Sequence, residues 1–345
     1  ADGETPGIAY NWTLADGVSI VEGDILTLEN VSDGDIFTCT AYAEDGNGAN
    51  SSISDSIVIA NINTSPVLDL RIKGSSNIIG DRSFSRKPKI VSKIGDYCIN
   101  CYHKNGIGTI EFFHPQSNSL PGNILSLLSE TITKSGTDND IKVIILKSGG
   151  DRVFCAGASF DELVSIKDKE EGEKFFSGFA NVINAARKCP KFIIGRVQGK
   201  TVGGGVGMAS ATDYCFATKF SSAKLSELAI GIGPFVVGPA VERKIGTSAF
   251  SAMTINATKW FDANWAREKG LYSEVFDSTE EMDQEINSLA TILSNSNPQA
   301  MKGLKKVMWE GTEHWDQLLK ERAISSGALV LSDFTREAIN KFKQK

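Results

Sequence analysis

The chain has 345 residues, of which 41% are apolar and 23% charged, with a formal net charge of −6. That balance supports a sizeable core and suggests two domains, or one large domain with an extension. It argues against a nucleic-acid binder, which would carry a basic stripe. No run approaches the roughly 20 apolar residues of a membrane span, since Ala229–Val241, the longest candidate, is broken by Gly and Pro.

Residues 1–64 carry eleven acids and no Lys or Arg. The remaining chain holds 36 bases against 42 − 11 = 31 acids, a charge of +5. So abrupt a change points to two independently evolved pieces. The opening Ala1–Gly7 has neither a basic nor an apolar leader segment, so no secretion signal is expected, and the segment reads as the interior of something longer. Short alternating runs at Ile8–Trp12, Asp24–Leu28, Ile36–Tyr42 and Ser56–Ile59 are spaced by Asp-Gly and Asn-Gly turns. That rhythm predicts antiparallel strands of a small sandwich. The pieces Tyr10–Trp12, Leu26–Asp35 and Phe37–Gly48 resemble part of a bacterial immunoglobulin-like repeat. Calcium at its acidic turns is one reading; a solvated acidic face is the simpler one.

Residues 65–102 mix Ser, Gly, Lys and Arg without a sustained period and are expected to be a partly disordered linker. Cys98 and Cys101 are spaced as a metal pair, with His103 nearby, but a zinc site needs two further ligands at matching spacing. No metal site is expected, and scattered cysteines suit a reducing compartment.

From residue 103 onward the pattern becomes α/β. Gly108–Phe113, Ile141–Lys147 and Phe192–Val197 read as strands, and Pro121–Lys134 and Asp168–Lys188 as helices. Pro298–Lys345 is helical throughout and long enough to pack on a neighbour.

Two glycine-containing segments follow predicted buried strands, where ligand sites of α/β proteins form. The first is Phe154–Ala158; the second, Gly199–Gly207, holds Gly203, Gly204 and Gly205 in a row. Neither has the spacing of a P-loop or a dinucleotide fingerprint. Further pieces lie in order around them: Asn105–Ile110, Pro115–Leu120, Asp213–Thr218, Leu225–Gly231, and Ala266 with Gly270–Leu271. Together these segments resemble the enoyl-CoA hydratase/isomerase (crotonase) superfamily over residues 103–345.

The resemblance implies a crotonase-like ββα spiral core with C-terminal helices, preceded by the small partial β-sandwich. It implies an acyl-coenzyme A thioester substrate, no separate cofactor, a cytoplasmic site of action, and a homotrimer or dimer of trimers. Carried over by position, the oxyanion hole falls on the backbone N–H groups of Ala156 and Gly204. Two fixed donors suit an enolate oxygen, because each lowers the barrier by roughly 3–4 kcal/mol in a dry site. The start of a helix at Gly204 adds a favourable dipole. Small residues are expected there so that the thioester can approach. Gly157, Ala158, Gly203, Gly205, Gly207 and Pro234 are expected to line the substrate site. Glu227 takes the proton-transfer role, its pKa raised by apolar neighbours Leu225, Leu228 and Ile230.

One position departs from the pattern. Two-glutamate hydratases carry a second carboxylate where this chain has Gly207. A hydratase similar to bacterial methylglutaconyl-CoA hydratases is favoured on the extent of the match through Pro234–Pro239. A Δ3,Δ2-enoyl-CoA isomerase, with one glutamate, is the alternative. Ser159 stands where the family often has Asp, and Asp161 and Glu162 are candidates to line the acyl pocket, with helix-cap charges as the simpler reading. His103, His114 and His314 form no pattern with a nucleophile, and Trp309 and Trp315 read as packing or subunit contacts. A surface adhesive protein, with residues 1–64 as its working module, is the reading from another class. The clash between an extracellular-looking segment and a cytoplasmic enzyme suggests a fusion or gene-model artefact, which sequencing the transcript across residues 60–100 would test.

Overall fold

The computed structural model describes the chain continuously from Tyr97 to Lys343, with side chains from Ile99 to Lys341, and seven strand segments before Tyr97. It divides into two compact units, Ala1–Lys87 and Pro88–Lys345.

The first unit contains β1 (Ile8–Leu14), β2 (Ser19–Glu22), β3 (Ile25–Leu28), β4 (Ile36–Glu44), β5 (Asn50–Val58) and β6 (Leu68–Arg71). They form an antiparallel sheet in the order β2-β1-β4-β5 and an antiparallel pair β3-β6. The four expected runs therefore fall on strands β1, β3, β4 and β5. The acidic turns weighed for calcium lie outside the described residues.

The second unit opens with β7 (Lys89–Ile94), β8 (Tyr97–Lys104) and β9 (Ile107–Phe113), an antiparallel meander. This corrects the expected linker: within residues 65–102, β6 joins the first unit, and β7 with most of β8 joins the sheet of the second. The rest of that stretch lies outside the described residues. A sequence cue existed, because only Gly95-Asp96 separates the register pair Ile94 and Tyr97, the length of a tight hairpin.

After β10 (Ser119–Leu120) and α1 (Gly122–Thr137) come β11 (Val143–Ser148), β12 (Val153–Cys155), β13 (Gly157–Ala158), α2 (Phe160–Ser165) and α3 (Lys169–Lys188). Next are β14 (Ile193–Val197), β15 (Lys200–Val202), α4 (Gly204–Ser210), β16 (Tyr214–Thr218) and β17 (Ser222–Lys224). A 3-10 turn, Glu227–Ile230, leads to α5 (Gly238–Ile255), β18 (Phe261–Asp262), α6 (Ala263–Glu268), β19 (Glu274–Phe276) and α7 (Thr279–Ser294). The tail holds α8 (Pro298–Met308), α9 (Trp315–Leu329) and α10 (Asp333–Lys343).

The main sheet runs β19-β16-β14-β11-β9-β8-β7, parallel from β9 to β19. Its central strands are apolar without alternation because both faces are covered. Val143 and Ile145 pack with Met282, Ile286 and Ala290 of α7, while Ile144 and Leu146 face the larger core under α1 and α3. A smaller sheet, β12-β15-β17-β18, carries the two glycine segments at the ends of β12 and β15.

Helix α3 begins where the sequence places it, because Asp168 accepts a hydrogen bond from the Glu171 N–H at 2.8 Å. Acids fill its first turn and Arg187 and Lys188 its last, matching the helix dipole. The tail packs on its own chain. Lys305 Nζ meets Asp213 Oδ2 at 2.7 Å, both buried, and the Trp309 indole N–H donates to Asp213 Oδ1 at 2.9 Å. Trp309 and Trp315 meet edge to face, so both are packing residues of this chain.

Candidate active site

The turn between β12 and β13 holds Ala156, Gly157 and Ala158. The N–H of Ala156 is spent on the Ser117 carbonyl at 3.1 Å. That corrects the expected donor, since an amide bonded within the fold has no hydrogen left for a substrate oxygen. Ala158 pairs in register with Leu120 on the parallel strand β10, and the Leu120 carbonyl accepts from the Ser159 N–H at 3.3 Å. In a parallel ladder the bonding residue joins the two neighbours of its register partner, so the Ala158 N–H points away from β10. Ala158 borders the cavity described below, and its amide, unlike that of Ala156, is not drawn to Ser117 or to β10.

The second turn holds Gly203 and Gly204. Gly203 has φ +51°, which favours glycine, and its N–H donates to the Lys224 carbonyl at 2.9 Å. Its own carbonyl accepts from the N–H groups of Val206 and Gly207, which leaves the Gly204 amide among the unpaired donors that open a helix. The two turns are close. A Cβ on Gly157, at φ +89°, would lie 3.0 Å from the Val202 carbonyl oxygen and 3.7 Å from the Gly204 nitrogen.

The smallness of these residues has a reason the sequence did not offer. A Cβ on Gly204 would lie 2.1 Å from a ring carbon of Phe179, and one on Gly205 2.6 Å from the Cys155 Cβ. The glycines are needed by the packing behind them. At Gly207 the would-be Cβ lies 2.5 Å from Val237 Cγ1, so Val237 fills the space where a second glutamate would begin.

Glu227 starts the 3-10 turn, and its backbone carbonyl accepts from the Ile232 N–H at 2.9 Å. A Cβ on Gly203 would lie 2.9 Å from Glu227 Oε1, which sets the carboxyl against the residue preceding the Gly204 donor. Oε2 is buried and has no hydrogen-bond partner among the described residues. Burial pushes the pKa up from the ordinary glutamate value to about 7. Leu225 and Ile230 are buried beside it, but Leu228 is half exposed and contributes little to that desolvation.

Ala156, Gly157, Ala158, Gly203, Gly204, Glu227 and Pro234 all border one cleft enclosing about 620 Å³ of free space, its open mouth included. Gly205 and Gly207 stand behind the wall. Sequence reasoning missed the other side of the cleft, made by Phe160 and Leu163 of α2, Phe176 and Phe179 of α3, and Ser326 of α9. Among its described lining residues Glu227 is the sole titratable side chain. A lone proton-transfer group beside two free amides can move a proton next to a carbonyl while its oxygen carries charge.

The other candidates fall elsewhere. Ser159 caps α2 by accepting from the Glu162 N–H, and Glu162 accepts from the Gly122 N–H at 2.7 Å, capping α1. Asp161 accepts from Gln116 Nε2 at 3.0 Å. His114 Nδ1 lies 3.0 Å from Ser119 Oγ, a pairing the sequence did not suggest, and burial lowers its pKa against the pull of Asp161. None of these side chains borders the cleft. Among the described residues no group of three or more His, Cys, Asp or Glu is placed to hold a metal ion.

The profile described as enoyl-CoA hydratase/isomerase matches residues 102–343. A peroxisomal Δ(3,5)-Δ(2,4)-dienoyl-CoA isomerase of Arabidopsis thaliana is 29% identical over 217 residues, covering 58% of this chain and 76% of that protein. The mitochondrial methylglutaconyl-CoA hydratase of Mus musculus is 30% identical over 200 residues, covering 57% of this chain and 63% of that one. Among solved structures, an enoyl-CoA hydratase from Bacillus halodurans aligns with a TM-score of 0.66 at 20% identity, covering 70% of this chain and 99% of its own.

Proposed function

This chain belongs to the enoyl-CoA hydratase/isomerase family, and from that premise we propose that it moves the double bond of an enoyl-coenzyme A thioester by a single-carboxylate proton shuttle. The observation that carries the reading is Glu227, the lone titratable group among the cleft's described lining residues, with the place of a second carboxylate closed by Val237 against Gly207. The extent of the sequence match through Pro234–Pro239 favours hydration; the packing at Gly207 favours isomerisation.

In the proposed step the Glu227 carboxylate removes a proton from C2 of a 3-enoyl thioester. The C–H electron pair enters the conjugated system, and negative charge collects on the thioester oxygen. The amides of Ala158 and Gly204 hold that oxygen, each contributing roughly 3–4 kcal/mol. The protonated Glu227 then returns the proton to C4, leaving the 2-enoyl thioester and restoring the carboxylate. A pKa near 7 suits both halves of the exchange, because the group is then neither too weak a base nor too weak an acid. The reaction draws on this chain and the thioester itself. Action in the cytoplasm as a trimer belongs to the same proposal and rests on the family resemblance alone.

Hydration is the second reading, favoured by the similarity to methylglutaconyl-CoA hydratase and by the hydroxyl of Ser226, which borders the cleft next to Glu227. Purified protein is offered 3-enoyl-CoA, trans-2-enoyl-CoA and 3-methylglutaconyl-CoA in turn. Appearance of conjugated-thioester absorbance from the 3-enoyl substrate is the expected result. Loss of that absorbance from either conjugated substrate, with none gained from the 3-enoyl one, would replace isomerisation with hydration.

A further inference from the structure

Ser326 lies in the interior of α9, and just 1% of it is exposed. A serine inside a helix ordinarily satisfies its hydroxyl on a carbonyl three or four residues back. Its neighbour Ser325 does so, donating to the Glu321 carbonyl at 3.0 Å, and Ser294 at the end of α7 donates to the Thr291 carbonyl at 3.0 Å. Ser326 makes no such bond, and no other partner for its hydroxyl is found among the described residues. It borders the cleft instead, in a wall otherwise made of Phe160, Leu163, Phe176, Phe179 and Phe235.

Its place along the cleft follows from the helix crossing. α3 and α9 touch backbone to backbone: a Cβ on Gly172 would lie 2.6 Å from the Gly327 carbonyl oxygen. Ser326 therefore sits beside the Gly172 end of α3. Phe179, seven residues further on, packs against the Gly204 donor that marks the thioester end. Seven residues of helix span about 10 Å. The unpaired hydroxyl is thus remote from the reacting carbons, at the far end of the acyl pocket.

We propose that Ser326 selects the acyl tail, favouring thioesters that carry an uncharged hydrogen-bonding oxygen, a hydroxyl or keto group, at the end remote from the thioester. The inference rests on the thioester reading of the cleft. A plain alkyl tail would leave the hydroxyl buried and unsatisfied, a cost a polar tail avoids. A carboxylate tail fits less well, because no Lys, Arg or His borders the cleft among the described residues and a single neutral donor does not offset desolvation of an anion.

The test is calorimetric titration of the full chain with saturated acyl-CoAs of graded length, each as an alkyl, a terminal-hydroxyl and a terminal-carboxylate member. At one length the hydroxyl member is expected to bind about 3- to 10-fold tighter than the alkyl one, the size of one neutral hydrogen bond. Ser326→Ala should erase that ratio and Ser326→Thr should keep it. Equal affinities in the unaltered protein, an unchanged ratio in Ser326→Ala, or tightest binding of the carboxylate member overturns the inference; the first and last need no variant to fold. Tail preference without turnover of any enoyl-CoA would sink the proposed chemistry and leave this assignment standing. Absence of binding by every thioester would sink both.

Discussion

Glu227→Gln separates what the buried carboxyl does for chemistry from what it costs the fold. In the unfolded chain the group titrates near 4.5, and in the folded chain at about 7. Below pH 4.5 both states hold the proton and the group is neutral to stability. Between these values the unfolded chain has released a proton that the folded chain retains, so stability falls as pH rises, and the loss is complete above about pH 7. The interval corresponds to about 3 kcal/mol. Glutamine has nearly the same shape and no charge to desolvate. The variant should therefore match the unaltered protein near pH 4.5 and exceed it at pH 8 by about 3 kcal/mol, a rise of roughly 6–12 °C in melting temperature for a domain of this size. Isomerase turnover should be abolished, with thioester binding kept. Thermal melts of both proteins at the two pH values, run beside the 3-enoyl-CoA assay, read all of this. An equal gain at both values, or a loss at pH 8, would refute the claim that desolvation of this carboxylate raises its pKa. Unchanged turnover would remove Glu227 from the reaction.

The packing at the missing carboxylate gives a second outcome. Gly207→Ala should destabilise by about 1–3 kcal/mol through overpacking on Val237, and adding Val237→Ala should recover part of it; strictly additive losses in denaturant titrations would contradict the contact. The donor assignment is tested by replacing single backbone amides with esters through semisynthesis: at residue 158 turnover should fall about 100-fold or more, while at residue 156 the change should appear mainly as about 1 kcal/mol of stability. Lys305→Ala strands the buried Asp213 carboxylate and should cost about 3–5 kcal/mol; a loss under 1 kcal/mol in urea melts would show the pair is not insulated from water. As the pH of the isomerase assay rises through about 7, kcat/KM should increase, since the free base starts the reaction; a flat profile would exclude Glu227 as that base.

Much of the second unit was legible because its signals are local. Unbroken apolar runs at Ile141–Lys147 and Phe192–Val197 mark strands covered on both faces, and the acid-to-base gradient from Asp168 to Lys188 fixes a helix with both ends. The order of the glycine turns and of Glu227 gave the family, and with it the kind of chemistry. The hairpin β7-β8 was missed because its strands mix polar and apolar residues; β7 is held by pairing with β8, and β8 by pairing with β9.

What the sequence determined is the set of candidate groups that border the cleft: two glycine-bearing turns after buried strands, and one glutamate among apolar neighbours. Tertiary structure decided which amide in the first turn is free, because Ala156 loses its hydrogen to Ser117, thirty-nine positions away. It also decided that Val237 closes the ground beside Gly207, and that Ser326 borders the cleft from a helix more than a hundred residues downstream of the turns. Residue type sets what a group can donate, accept or titrate. Whether that capacity is spent inside the fold or left for a substrate depends on partners that only folding brings within hydrogen-bond reach.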